Sequence, residues 1–570
     1  MTSILKQSPL LFLLILAGCG GGSSQISNPT IALVTPEATT ITAGTTLQMS
    51  AIVTGNSNTT VLWYVNNIPG GNSTTGTISP QGLYTAPNTP PQNGSVVISA
   101  APQAYPVIST SIIISITFAN ASLNGNYVFT LSGTQAGGPW AATGSFTANN
   151  GTISNGLEDI NGPSGISQAL PFSGIYFIDA NGQGTATFTS TQGSVNVTFT
   201  LNTQGQAVAI RTDNGAVASG LFYSQLPTAL TLTSLNAPYV FDFTGTDQSD
   251  KLLNVIGIFV TNGSTAFTSA EEDINAGGTA SNQPFNGSYS IGSNGRGTAS
   301  FTDSTGTRTY SFYIVSPTQL QFIETDTSGH LSGSALQQQD VISTTVLAGG
   351  YVFSVVGMSG TAAYGAAGGF TTSTTNSGTV NSGTDDINNA GNISTNATLI
   401  GSFTSSASGR GTLALTGSSG TTNYVYYLIT PNTAFVLTSD SGINAIGQMF
   451  FQTGGFSTSS LSGYYTLLLA SPAGVASPSS AVGRLTLNGS GALAGFETIS
   501  NNGTISSELS VTGVYAVTVG TSTTSTRGVA TLTTNGGVNT NFALYPISNN
   551  AVILLDESGS PMVGTLVSQY

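Results

Sequence analysis

The chain has 570 residues, of which only 5% are charged, against about 25% in ordinary globular proteins. Its 22 acidic and 8 basic residues give a net charge of −14, which makes nucleic acid and anionic headgroups poor partners. The 20 Tyr and 26 Phe supply more apolar surface than a disordered chain carries, so the composition predicts a folded protein with a neutral, hydroxyl-rich exterior.

At the start, one cation, Lys6, precedes an apolar run from Leu10 to Leu16, followed by Ala17, Gly18 and Cys19. The run falls far below the roughly 20 residues a membrane-spanning helix needs, so residues 1–18 read as a cleaved signal peptide. Leu16-Ala17-Gly18-Cys19 resembles the bacterial lipobox. The resemblance implies cleavage before Cys19, acylation of its thiol and of the new amino terminus, and a lipid-anchored place at the outer membrane or cell surface. Two or three acyl chains meet the requirement that stable anchoring takes more than one lipid signal. Cys19 is the only cysteine, which leaves no intrachain disulfide. Residues 19–28 read as a flexible tether.

Residues 29–118 form a separate unit. Val61-Leu62-Trp63-Tyr64-Val65-Asn66, then Gly76-Thr77-Ile78-Ser79-Pro80-Gln81-Gly82-Leu83-Tyr84-Thr85-Ala86-Pro87, resembles the bacterial Ig-like domains of surface proteins. The resemblance implies a sandwich with Trp63 buried on a central strand, here without a disulfide, serving as a stalk or adhesion module.

Self-comparison then shows one motif four times. Leu123-Asn-Gly-Asn-Tyr127, Leu235-Asn-Ala-Pro-Tyr239, Leu347-Ala-Gly-Gly-Tyr351 and Leu461-Ser-Gly-Tyr-Tyr465 are spaced 112, 112 and 114 residues apart. Asp159-Ile-Asn161, Asp273-Ile-Asn275 and Asp386-Ile-Asn388 match, with Thr498-Ile-Ser500 in the fourth copy. Gly182-Gln-Gly-Thr185, Gly295-Arg-Gly-Thr298, Gly409-Arg-Gly-Thr412 and the looser Arg527-Gly528 form a second marker. Each copy closes on Gln, at 225, 338 or 339, 452 and 569. The repeats are therefore placed at 123–226, 235–340, 347–453 and 461–570.

Within a copy the apolar period is two, as in Tyr310, Phe312 and Ile314, and the turns are rich in Asn-Gly and Ser-Gly. The first copy predicts eight strands: Tyr127 to Ser132, Ala141 to Ala148, Thr152 to Ile160, Ile166 to Asp179, Gly184 to Ser190, Ser194 to Leu201, Gln206 to Asp213 and Val217 to Gln225. Eight sequential antiparallel strands can close and remove their edges, so the fold class is all-β. An Ig-like sandwich is followed by four tandem up-and-down barrels of lipocalin or calycin type, with β-sandwiches as the alternative.

Candidates for chemistry are few. His330 is the only histidine and falls where a surface turn is predicted, so no Ser-His-Asp or zinc constellation can be assembled. The doublets Glu158-Asp159, Glu271-Glu272-Asp273 and Asp385-Asp386 match a glycosidase pair only in composition, because neighbours on a strand face opposite ways. The fourth copy carries Glu497 and Glu508 instead. Most acids sit beside Gly, Ser or Asn, which suggests solvated turns. Asp159, Asp273 and Asp386 read as turn residues, with weak calcium ligation as the rival. Arg296 and Arg410 read as solvated, or bonded to the acidic group of their own repeat, or as anchors at a barrel mouth. Tyr310, Tyr313, Tyr424, Tyr426 and Tyr427 fit a core or a sugar-binding face. Lys251 is the sole lysine after the signal, so Lys-Asn crosslinks are nearly excluded. No metal, cofactor or catalytic role is expected. The sequence supports a cell-surface lipoprotein with a structural, adhesive or display role, with a glycan or cell-surface partner. The alternative is a binding protein whose barrels hold a small apolar molecule or sugar.

Overall fold

The computed structural model describes residues 29–226, 231–277, 280–292, 294–339, 347–373, 378–518 and 526–570. Cys19 and the signal segment lie outside these residues. The architecture is all-β: a two-layer sandwich followed by four antiparallel barrels.

In the sandwich, a five-stranded sheet in the order Thr40–Thr42, Thr110–Thr117, Ser95–Pro102, Val61–Val65, Ile68–Pro69 faces a four-stranded one in the order Thr46–Gln48, Leu83–Thr85, Gly76–Ile78, Gly71–Asn72. Trp63, Tyr84, Ile98 and Ile114 are buried between them. Two motif glycines have steric causes: a Cβ at Gly76 would lie 2.5 Å from the Tyr84 hydroxyl, and one at Gly82 would lie 2.4 Å from the Met49 carbonyl oxygen.

The first barrel runs Gly125–Gln135, Gly138–Asn149, Thr152–Gly162, Gly165–Ile178, Gln183–Ser190, Gly193–Leu201, Ala207–Arg211 and Val217–Ser224, each strand paired with the next and the last with the first. All eight predicted strands are present within a few residues. Asn150 (φ 42°) and Gly151 (φ 97°) make the left-handed two-residue hairpin that an Asn-Gly pair specifies. The third and fourth barrels close in the same way, from Gly349–Ser359 to Ile443–Phe451 and from Ser462–Ala470 to Val563–Ser568. In the second barrel the fourth strand is interrupted at Phe285. Ala280–Pro284 pairs with Phe267–Asn275 and Asn286–Ile291 pairs with Arg296–Thr302. A bridge between Ala266 and Ser288 joins the two sides.

The interiors are filled. In barrel 1, Phe129, Phe146, Phe172, Phe188 and Phe222 meet tilted or edge to face with centroids 5.3–6.4 Å apart. In barrel 2, Phe241, Phe243, Phe259, Phe301 and Phe322 do the same. Tyr310 belongs to the inner core of barrel 2, and Tyr424 and Tyr426 to that of barrel 3.

The outer faces are not uniformly polar, and this sets the arrangement of the barrels. Val128 packs with Tyr313 and Val315, joining barrels 1 and 2. Val240, Ile256 and Ile258 pack on Val425, Tyr427, Phe435 and Leu437, joining barrels 2 and 3. Val352 and Ala367 pack on Ala543, Tyr545, Ile553 and Leu555, joining barrels 3 and 4. Val208 and Ile210 pack on Val482, joining barrel 1 to barrel 4. Instead of an open string, the four barrels close into a ring. The apolar residues of each seam sit on alternate strand positions that face outward from their own barrel, so the period-two pattern does not distinguish them from the core.

The seam between barrels 4 and 1 rests on a small apolar cluster in which Val482 is fully buried. Val482→Asp should open the ring there while leaving the barrels folded. Small-angle scattering should report a larger radius of gyration with an unchanged far-ultraviolet circular dichroism spectrum. An unchanged radius would show that the seam does not hold the ring shut.

Candidate functional site

The recurrent polar residues of the repeats meet at the ring's seams. Asp159 lies within a strand, Thr152–Gly162, and so do its counterparts Asp273 in Phe267–Asn275 and Asp386 in Thr379–Asn389, where turns were expected. Alternation then gives the segment two faces. Ile160 turns toward the barrel 1 core, while Asp159 and Asn161 turn out toward barrel 2.

Each outward aspartate is gripped by the following barrel. Arg296 donates to Asp159 through Nε at 2.7 Å and Nη2 at 2.5 Å, Tyr313 through its hydroxyl at 2.5 Å, and Ser311 at 3.1 Å. Arg410 grips Asp273 at 2.7 and 2.8 Å, with Tyr427 at 2.7 Å. Arg527 grips Asp386 at 2.7 and 2.6 Å, with the Tyr545 hydroxyl also donating. Arg296 and Arg410 therefore bond the acidic group of the preceding repeat, not of their own. The near-constant separation in sequence reflects one interface used three times. Arg296 stands opposite Tyr313 across one hairpin, and Arg410 opposite Tyr427, so a single hairpin delivers both donors. The hydrogen bonds to the aspartates raise the pKa of Arg296 and of Arg410. Burial, and then the aspartate charge, raise those of Tyr313 and Tyr427, which keeps both phenols protonated as donors.

The aspartates have little left for a cation. A backbone N–H of the same barrel adds a bond at the bulged fourth strand, from Ala169 to Asp159 at 3.2 Å and from Asn396 to Asp386 at 2.8 Å. Both oxygens of each carboxylate are thus engaged. Among the described residues no three Asp, Glu, His or Cys side chains gather.

Two further contacts repeat around the ring. Asn161 donates to the Glu324 and Gly329 carbonyls, Asn275 to those of Thr438 and Ile443, and Asn388 to those of Asp556 and Gly559. The glutamine that ends each copy reaches into the next: Gln225 to the Ile314 carbonyl, Gln338 to Leu428, Gln452 to Pro546, and Gln569 back to Asn181 and Leu201 of barrel 1. In the sequence these glutamines mark only the end of a copy. Their role needs the neighbouring barrel to be in view.

The closing seam differs in all members of the charged set together. Thr498 replaces the aspartate, Gln183 the arginine, and Thr200, which stands opposite Gln183, the tyrosine. Thr498 and Thr200 are fully buried. Ser500, in the asparagine's place, donates to the Ala216 carbonyl at 2.8 Å. A carboxylate here without its guanidinium would be an uncompensated buried charge, so the three replacements are coupled by chemistry.

The inward-facing acids contradict the expectation of solvated turns. Glu158, Glu272, Asp385 and Glu497 occupy equivalent positions, one residue before the outward group, and all are buried. Burial raises Glu158, Asp385 and Glu497 to about 7. Glu272 is raised to about 8 by burial and then by the charge of Asp303. Glu508 is exposed, so it does not share the surroundings of Glu497. Trp63 sits in the sandwich core, and Lys251 is exposed. His330 is not in an open turn. It is half-buried and lines a cavity at the centre of the ring. A larger cleft of about 750 Å³ lies where the sandwich meets the ring, lined by Asn72, Thr85, Asn88, Thr203, Asn550 and Tyr570 among others.

No family model matches the chain, and no curated protein matches it. Solved structures give loose overlaps. A double mutant of the vaccine antigen Transferrin Binding Protein B from Haemophilus parasuis Hp5 is 11% identical, with 77% of this chain and 94% of that chain covered and a TM-score of 0.17. The isotype 1 protein of the same name from serogroup B Neisseria meningitidis is 11% identical, covering 63% of this chain and 82% of that chain at 0.18. At such scores the overlap carries no argument about what this chain binds.

The seam chemistry can be transplanted. Thr498→Asp alone should lower stability by about 3–5 kcal/mol, the cost of an unpaired buried charge. Adding Gln183→Arg and Thr200→Tyr should restore most of it in thermal unfolding. Failure of the triple variant to recover would break the equivalence of the four seams.

The buried acids give a sign for pH. A carboxyl raised to about 7 from an ordinary 4.5, as at Glu497, stabilises the fold fully below about 4.5, and the contribution is lost as pH rises through about 7. The melting temperature should therefore fall between pH 5 and pH 8.5. Glu497→Gln should raise it at pH 8.5 by more than at pH 5; an equal change at both would mean that Glu497 is not held protonated.

Proposed function

We propose that the chain is a lipid-anchored surface protein that acts by binding or display without catalysis. In this reading Cys19 carries the lipid, residues 19–28 are the tether, and 29–118 is an Ig-like spacer. Repeats at 123–226, 235–340, 347–453 and 461–570 form a rigid head that presents a low-charge, hydroxyl-rich surface to a glycan or cell-surface partner. The observation that carries this is the spending of the polar recurrences on structure. The groups that repeat are consumed in holding barrel to barrel, and the barrel interiors are packed with apolar side chains, aromatic above all in the first two. The raised inward acids fit the same view, because they recur at one position in every repeat instead of converging on one site.

The reading as a ligand-binding lipoprotein keeps one observation in its favour, the cleft at the junction of sandwich and ring. Its amides, hydroxyls and the Tyr570 ring suit a neutral polar ligand such as a sugar. A ligand would sit between modules, since the barrel interiors are occupied.

Cys19→Ser should move the protein from the membrane fraction to the soluble fraction, or leave it as unprocessed precursor, and should abolish palmitate labelling. Persistent detergent-dependent, labelled protein in that variant would overturn the anchoring.

A further inference from the structure

The cavity that His330 lines has a volume of about 240 Å³ and takes its walls from all four barrels. Trp140 comes from barrel 1, Thr246 and His330 from barrel 2, Val356 and Ile446 from barrel 3, and Ser480 from barrel 4. A space touched by every member of a closed ring lies on its axis. It exists only in the assembled ring.

The walls carry no Asp, Glu, Lys or Arg, and most of their residues are apolar or small. A charged ligand would be left unpaired there. Yet the surface is not wholly apolar. Among the described residues, seven buried side-chain polar atoms lack a hydrogen-bond partner, and three of them, Thr246 Oγ1, His330 Nδ1 and Ser480 Oγ, belong to residues that line this one cavity. Thr246 and Ser480 are 2% and 1% exposed. Buried polar atoms are satisfied in the great majority of cases, and an orphan is costly to the fold.

The histidine is not a requirement of the fold. Gly220, Gly333, Gly447 and Gly564 hold the same place in the four final strands, each packed against a carbonyl of the first strand. Three residues before them stand Val217, His330, Asn444 and Pro561. Asn444 is consumed in the seam between barrels 2 and 3, where it donates to Leu252 and Asn275 carbonyls. Of the four, only His330 carries a side-chain polar atom that is buried without a hydrogen-bond partner. Burial lowers its pKa, which favours a neutral imidazole.

We propose that the axial cavity is a binding site for a small neutral molecule with a planar, mostly apolar body and a hydrogen-bonding edge directed at Thr246, His330 and Ser480. Size supports this: an apolar cavity of about 150 Å³ accepts benzene, so this one has room for a bicyclic heteroaromatic. Trp140 is the aromatic residue among its walls.

Indole is a suitable probe for the full-length protein, observed by saturation-transfer NMR and titration calorimetry. It should bind one to one, and benzoate, of similar size but charged, should bind at least tenfold more weakly. Ala473→Trp, which fills the cavity from a half-buried loop position, should abolish binding without lowering the melting temperature. Val356→Trp blocks from another wall and serves if the first variant unfolds. His330→Leu should weaken indole severalfold while leaving naphthalene, which lacks the donor, unchanged or tighter. No indole binding, or binding that survives both blocking variants, would overturn the proposal.

Discussion

A carboxylate taken out of water has to be given hydrogen bonds, and at Asp159, Asp273 and Asp386 most of the donors belong to a different barrel. Once a repeat folds with such a residue on its outer face, the neighbouring barrel must arrive at one height and one rotation. Only there can a guanidinium and a phenol meet the same two oxygens. The energy of the seams need not come from these pairs. Burying an ion pair is close to neutral against an apolar replacement, whereas leaving one partner alone costs about 3–5 kcal/mol. Attraction comes from the apolar clusters around Tyr427 and Tyr545, and the aspartates reject every other register. The asparagine two residues on and the glutamine at the end of each copy add bonds that lock the same setting.

Within a single repeat, most of the fold was legible in the sequence. Period-two apolar runs separated by Asn-Gly and Gly-x-Gly turns located all eight strands of the first barrel, because strand alternation and hairpin geometry are local. The barrel-to-barrel arrangement was not legible. Tyr310 and Tyr313 look alike in an alternating run, yet the first faces its own core and the second crosses a seam. Asp-Ile-Asn read as a turn because Asp and Asn favour turns in isolation; a partner barrel overrides that preference by supplying the bonds a turn would otherwise provide. The raised acids escaped for a related reason. Glu158 lies beside Asp159 and Glu497 beside Thr498 in sequence, but burial depends on what lies across the barrel. One signal was available: the fourth copy lost its aspartate and the first copy its arginine. Pairing repeat n with repeat n+1, cyclically, would have turned two exceptions into a single matched seam.

That matched seam also governs which shorter or longer forms of the chain could persist. Tandem copies this similar are prone to unequal recombination, which deletes or duplicates whole units. Losing barrel 2 or 3 would leave every junction chemically matched, but only three bodies to span a circle whose curvature is set for four. Losing barrel 1 or 4 is worse, since a charged face would then meet a neutral one: Asp386 would confront Gln183 and Thr200, or Arg296 would confront Thr498. The neutral trio thus acts as a punctuation mark, fixing which copies must come first and last, while the curvature of the ring bears on how many stand between them.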